Sequence, residues 1–166
     1  MKKGLPPVAD TQANLLILGS LPGDISIERQ QYYAHPRNHF WPILASLLAV
    51  PLPVSYEERT AMLLAHHVAL WDVLHAARRE NSLDTNIRDR QPNDLPGFLQ
   101  EHPDIRFIIL NGSEAHKSYL RYFKELAIPY AAVRSSSPVP SKSCNTLEEK
   151  IGQWRSVWDT IERTIT

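Results

Sequence analysis

The segment LLILGSLPGDISIERQQYYAHPRNHFWPIL spans Leu15 to Leu44. It opens as a short apolar run, Asn14 to Leu18 with the preceding residue, and breaks at GSLPG, Gly19 to Gly23. A run of that length bounded by a glycine turn reads as a strand buried on both faces. The same grammar recurs three times, in VALWDVL (Val68 to Leu74), IRFIILNG (Ile105 to Gly112) and YAAVR (Tyr130 to Arg134). Helical patterns lie between these runs. Apolar residues recur at helical spacing from Asn38 to Ala49, and Pro51 and Pro53 end that helix. Ser55 with Glu58 forms a capping box that opens a helix to about His66. Asn93 or Asp94 caps a short helix to about Glu101, and a further helix runs from Ser113 to about Leu126. A last amphipathic helix covers about Thr146 to Ile165. The polar stretch RENSLDTNIRDRQPND reads as loop.

Strands that alternate with helices imply a mainly parallel sheet covered on both faces. The expected fold is therefore α/β: one domain over residues 1–166, a three-layer sandwich with a short, mainly parallel four-stranded sheet flanked by helices. Residues 1–12 read as a loosely ordered N-terminal segment. In such sheets ligands bind outside the carboxyl ends of the strands. GSLPG, WD, NG and SSSP each follow one of the four strands, so all four gather on one rim.

Composition narrows the function classes. The chain has 166 residues and 43% apolar residues, which suits one domain with one core. Lysine plus arginine equals aspartate plus glutamate at 18 each, which argues against a uniformly basic coat but leaves room for one basic face. The single cysteine, Cys144, rules out an internal disulfide, a four-cysteine zinc site and a cysteine-ligated iron–sulfur cluster. The histidines show no metal-ligand spacing, so no metal and no cofactor are expected. No apolar run approaches membrane length, and MKKGLPPVADTQ has no signal-peptide core. A cytoplasmic monomer is the expectation.

Each unusual cluster has a functional and a plain reading. In GSLPG, Gly19 and Gly23 permit unusual backbone angles and close approach of a ligand, or simply make a tight turn around Pro22. In YYAHPRN, the tyrosines and His35 can stack on a base, Arg37 can meet phosphate, and Asn38 can hydrogen-bond a base or a water. The plain alternative has Tyr32 and Tyr33 as packing residues and Asn38 as a helix cap. Asn111 reads as the cap of the helix after NG. Trp71 and Asp72 read as core and structural hydrogen bonding. RSSSPVPSKS packs five serines with Arg134 and Lys142 into ten residues, which suits phosphate contacts or an ordinary polar loop. ARRE and RDR read as solvated charge clusters.

LILGSLPG, YYAHPRNHFW, LWDVL, ILNGSEA and SSSP, in that order, resemble the uracil-DNA glycosylase superfamily. The chain looks most like the hypoxanthine-DNA glycosylase branch, and the resemblance runs from about Leu15 to Trp158. It implies a fold of that kind and a DNA substrate carrying a deaminated base. It gives Asn38 the catalytic role and sets Tyr33 against the flipped base. Gly19, Ser20, Leu21, Pro22, Gly23 and Asn111 would line the base site. His35, Arg37, Ser135, Ser136, Ser137, Pro138 and Lys142 would contact the DNA backbone. One departure matters: most of the superfamily has Asp or Asn at the third position of the first motif to place the attacking water, and here that residue is Leu21. The wedge that fills the gap of the flipped base is not identified by the motif.

The implied reaction is extrusion of the base and hydrolysis of its glycosidic bond, leaving free hypoxanthine and an abasic site. No convincing carboxylate pair is visible; Asp24 and Asp72 qualify by position alone. No lysine beside the site suggests itself for a Schiff base, so a monofunctional enzyme is expected. Three rivals stand beside this reading: a uracil or mismatch-specific glycosylase, a non-catalytic lesion-binding module, and a small-molecule enzyme on the same rim.

Overall fold

In the computed structural model, which describes residues 1–79, 87–139 and 144–165, the run LLILG is a strand buried at all five positions. The elements in chain order are β1 (Lys2–Lys3), β2 (Leu15–Gly19), α1 (Asp24–Arg29), α2 (Phe40–Leu47), α3 (Tyr56–Ala65), β3 (Val68–Asp72), β4 (Leu74–Arg78), β5 (Arg88–Pro92), α4 (Leu95–Glu101), β6 (Phe107–Asn111), α5 (Ser113–Phe123), β7 (Tyr130–Val133) and α6 (Leu147–Ile165). The four expected strands form one parallel sheet in the order β3-β2-β6-β7. Ser55 caps α3 as expected, its hydroxyl accepting from the Glu58 N–H.

Because strand side chains alternate, the sheet sorts its residues into two cores. Leu15, Ile17, Leu70 and Ile109 face the side covered by α2, α3 and α6, where they meet Phe40, Trp41, Leu63, Trp154 and Trp158. Leu16, Leu18, Ile108 and Leu110 face α4 and α5, where they meet Leu95, Phe98, Tyr119 and Phe123. A strand apolar at every position is what two covered faces require.

Two features depart from the sequence reading. The region read as one loop holds β5, and β1-β4-β5 make a second, three-stranded antiparallel sheet. The N-terminal segment, expected to be loose, enters this sheet through β1. It continues into buried Leu5, and Val8 then exchanges backbone hydrogen bonds with Leu70 at 2.8 Å. That contact covers the outer edge of β3, the position where an unpaired strand invites association. Among the described residues, no helix is long and apolar enough to cross a membrane.

Ile109 is fully buried in the middle of β6. Ile109→Ala should lower stability by about 2–5 kcal/mol through lost burial and a residual cavity. Calorimetry should show this as a drop of roughly 2–4 °C in Tm per kcal/mol. An unchanged melting temperature would place Ile109 outside the core.

Candidate active site

The carboxyl ends of β2, β3, β6 and β7 open onto a cavity of about 490 Å³. Its wall is built from all four strand ends, with Gly19 to Ser26, Asp72, Asn111 and Ser135 to Val139, and from Tyr32, Tyr33, His35, Arg37 and Asn38. The expected site residues outside this wall reduce to Lys142, which lies beyond the described residues.

The first motif begins as a continuation of the ladder, with Val73 N–H on the Gly19 carbonyl at 2.8 Å and Leu74 N–H on the Ser20 carbonyl at 3.1 Å. Gly19 is glycine for want of space. A Cβ there would fall 2.5 Å from Asp72 Oδ1 and 2.8 Å from the Tyr33 hydroxyl oxygen. Unusual backbone angles are not the reason at either end of the motif: Gly23 has φ −70°, and the glycine with positive φ is Gly112, at 100°. Leu21 is 6% exposed and packs into the α4/α5 core as well as lining the cavity. Its side chain offers nothing to orient a water.

Tyr32 and Tyr33 both pack against the core, but to different depths. Tyr32 is buried, and its hydroxyl donates to the Pro6 carbonyl at 2.8 Å. Burial, reinforced by the nearby Asp72, holds its phenol far above the usual tyrosine pKa. Tyr33 takes a left-handed backbone (φ 54°) and stacks on Phe40, with ring centroids 4.1 Å apart. One face of its ring is thus covered, while the residue remains on the cavity wall. Asn38 is not the cap of α2, since His39 holds the N-cap position and no side-chain cap bond is made. The Asn38 Oδ1 accepts from Phe40 N–H at 2.9 Å at the start of α2, and the residue lines the cavity. Arg37 is exposed at the mouth, its backbone N–H held by His35 Nδ1 at 3.1 Å.

Asn111 is not a helix cap. Gly112 occupies the N-cap of α5, and no side-chain cap bond is made. The Asn111 carboxamide instead joins three loops. Its Nδ2 donates to the Tyr33 hydroxyl and to Ser136 Oγ, both at 3.0 Å, and its Oδ1 accepts from Ser136 N–H at 3.0 Å. Ser136 is 1% exposed, and its carbonyl accepts from His39 N–H at 3.0 Å. Ser135, Ser137, Pro138 and Val139 remain on the open side of the loop.

Two buried cations hold the loops from behind, and the sequence reading missed both. Arg79, read as part of a solvated cluster, is 6% exposed and donates to the Leu21 and Pro22 carbonyls. It stands one residue beyond β4, so only the second sheet explains its reach. Lys150 is 4% exposed, and its Nζ donates to the Ser137 carbonyl at 3.0 Å. Burial pulls its pKa below the ordinary lysine range, against the nearby Cys144 thiol and with help from Arg134. A lysine three residues after Leu147 and four before Trp154 falls on the apolar stripe of α6, and that placement was the available signal. The same face of α6 grips the first residue after β7, with Gln153 Oε1 accepting from Arg134 N–H at 2.7 Å and Trp154 Nε1 donating to the Arg134 carbonyl at 2.8 Å. His39, next to Asn38, has its pKa lowered by burial and then by Lys150, with Glu148 opposing.

Asp24 and Asp72 both reach the cavity wall, but they differ. Asp24 is half exposed and pairs with Lys2 at 2.5 Å, whereas Asp72 is 4% exposed. Among the described residues, no three His, Cys, Asp or Glu side chains group as metal ligands.

Removing the Asn111 carboxamide strands a buried Ser136 N–H and frees the Tyr33 hydroxyl. Asn111→Ala should therefore destabilise the protein by about 1–3 kcal/mol. In urea this is a lower midpoint with an unchanged slope. A midpoint equal to wild type would show that Asn111 does not join the loops.

The sequence model of the Uracil DNA glycosylase superfamily matches residues 6–161. Over 115 residues the chain is 40% identical to a hypoxanthine DNA glycosylase of Methanosarcina barkeri, covering 69% of this chain and 73% of that protein. It is 40% identical over 116 residues to a hypoxanthine DNA glycosylase of Methanosarcina acetivorans, with the same coverage of 69% and 73%. A candidate uracil DNA glycosylase of Methanosarcina acetivorans, solved in solution by NMR, superimposes with a TM-score of 0.81 at 32% identity, covering 97% of this chain and 98% of that one. With its parallel sheet, its rim cavity and these matches over nearly all its length, the chain belongs to the uracil DNA glycosylase superfamily.

Proposed function

We propose that this DNA glycosylase extrudes hypoxanthine from duplex DNA into the rim cavity and hydrolyses its glycosidic bond, leaving an abasic site. The observation that carries the proposal is Tyr33, locked from behind by Phe40 and from the side by Asn111, with the rest of the residue on the wall of a base-sized cavity. A cavity of about 490 Å³ suits a small planar ligand. An immobilised aromatic face is what an unstacked base needs to replace its lost neighbours. The names of the two Methanosarcina relatives favour hypoxanthine over uracil.

In this reading the roles divide as follows. Tyr33 stacks on the base, and the backbone of Gly19 to Gly23 borders it. Asn38 keeps the second lone pair of Oδ1 and its Nδ2 group for the attacking water. Asp72 borders Gly19 on the wall. His35, Arg37, Ser135, Ser137 and Pro138 meet the backbone beside the lesion. The serine hydroxyls already accept from backbone N–H groups, Ser135 from Ser137 and Ser137 from Val139. Each keeps its proton to donate to a phosphate oxygen. Ser136 and Asn111 shape the pocket from within. Val139, apolar and 52% exposed at the cavity mouth, fills the gap left by the base. Lys150 is spent on the Ser137 carbonyl, and among the described residues no lysine lines the cavity, which supports a monofunctional enzyme.

Labelled duplexes carrying one deoxyinosine or one deoxyuridine, treated with alkali after incubation, test this directly. Cleavage at inosine above uracil is expected; cleavage at uracil alone would move the substrate, and no cleavage with the lesion still bound would make the protein a binding module. Asn38→Ala should slow single-turnover excision by about 10²-fold while lesion binding stays close to wild type. Equal loss of both would reduce Asn38 to a structural residue that holds Phe40 N–H at the start of α2. Tyr33→Ala should weaken lesion duplex by roughly 1–3 kcal/mol more than undamaged duplex. The same loss on both would make Tyr33 a packing residue.

A further inference from the structure

The second sheet is where a neutral chain concentrates its positive charge. Its three strands carry Lys2, Lys3, Arg78, Arg88 and Arg90 against one acidic residue, Asp89. Two of the cations are used internally: Lys2 pairs with Asp24, and Arg90 with Glu114 at 2.7 Å. The others face solvent. Arg78 meets Asp89 at 3.0 Å in a pair more than 60% exposed on both sides, which water and salt weaken. Lys3 and Arg88 are exposed, and no carboxylate among the described residues pairs with either. Arg78 also stands directly opposite Arg88 in the β4–β5 ladder. Like charges in that position repel, and the exposed Asp89 pair offsets this only in part, so an anion over both arginines would be favoured.

The sheet's place in the fold says which anion. β4 follows β3 after one residue, and β3 is an edge of the parallel sheet; β7, which leads into the serine loop, is the opposite edge. The cavity lies between them, at the ends of β2 and β6. Three contacts fix the second sheet to the cavity rim: Arg79 to the Leu21 and Pro22 carbonyls, Lys2 to Asp24, and Arg90 to Glu114 at the start of α5. A duplex whose flipped base enters the cavity needs support on both sides of the lesion. The serine loop supplies one side.

We propose that the three-stranded sheet supplies the other, with Arg78 and Arg88 contacting backbone phosphates of the duplex arm that runs past the β3 edge. The inference rests on the DNA glycosylase reading above and adds a second interface to it. Phosphate contacts release counterions, so each contributes about 0.9 to the slope of log affinity against log salt.

The test uses the full chain with Arg78→Gln and Arg88→Gln combined. Neither residue lines the cavity, and losing the like-charge pair together with the exposed Arg78–Asp89 pair should leave the melting temperature close to wild type. Binding to a deoxyinosine duplex is measured across a salt series, on a long duplex and on duplexes shortened on one side of the lesion or the other. The salt slope should fall by about 1.8 for two lost phosphate contacts, with several-fold weaker binding at low salt. Shortening one arm should weaken wild type and make little further difference to the variant. Single-turnover excision at saturating protein should stay at the wild-type rate. An unchanged slope and affinity, in a variant of a wild type that excises inosine, would overturn the second interface alone. A wild type without salt-dependent duplex binding would overturn both this inference and the glycosylase reading. Equal sensitivity of wild type and variant to shortening either arm would also sink it, because the arginines would then touch neither.

Discussion

The site depends on one carboxamide. Asn111 stands at the end of a central strand, and its three hydrogen bonds reach Tyr33 from the aromatic run and Ser136 from the serine loop. Those segments are separated by 78 and 25 positions from Asn111, so the bonds close long loops. A buried amide with both N–H groups and its oxygen engaged is a rigid joint. Gly19 completes it by subtraction, since any side chain there would push into Asp72 and Tyr33. The cavity is thus a consequence of where the parallel sheet ends and of what its end residues hold.

Behind this joint sit charges that a purely apolar design would omit. Arg79 braces the glycine turn, and Lys150 braces the serine loop. Burying a cation costs solvation, which hydrogen bonds to carbonyls repay only in part. Both cations hold loops whose own sequences, rich in glycine, proline and serine, carry little side-chain packing to fix them. The arrangement places rigidity at the rim, where an extruded base must be met by groups already in position. It also explains why the second sheet belongs to the site: without β4 there is no Arg79 under the first motif.

The parallel sheet was legible because its strands are apolar on both faces and end in glycine or polar pairs. That pattern also located the rim, and with it most of the wall. The antiparallel sheet was not legible. KK, LHAAR and RDRQP are too short, too exposed or too charged to show a strand period, and their pairing depends on partners distant in sequence. α1 was missed for a related reason, being six residues long and buried only at Ser26. Asn111 was misread because a side chain that caps and one that bridges loops look alike in sequence; Gly112, at φ 100°, took the cap position. Asn38 was misread as a cap in the same way: His39 takes the cap position, and Asn38 bonds Phe40 N–H from one residue further out while lining the cavity.

The central claim is that Tyr33 receives an extruded base. The most direct measurement is a crystal structure of the protein on duplex DNA carrying 2′-fluoro-deoxyinosine, whose glycosidic bond resists cleavage. The account predicts the hypoxanthine ring outside the helix, stacked on the Tyr33 face opposite Phe40, with Asn38 beside the anomeric carbon. A base left paired within the duplex, or an extruded base held away from Tyr33, would contradict it.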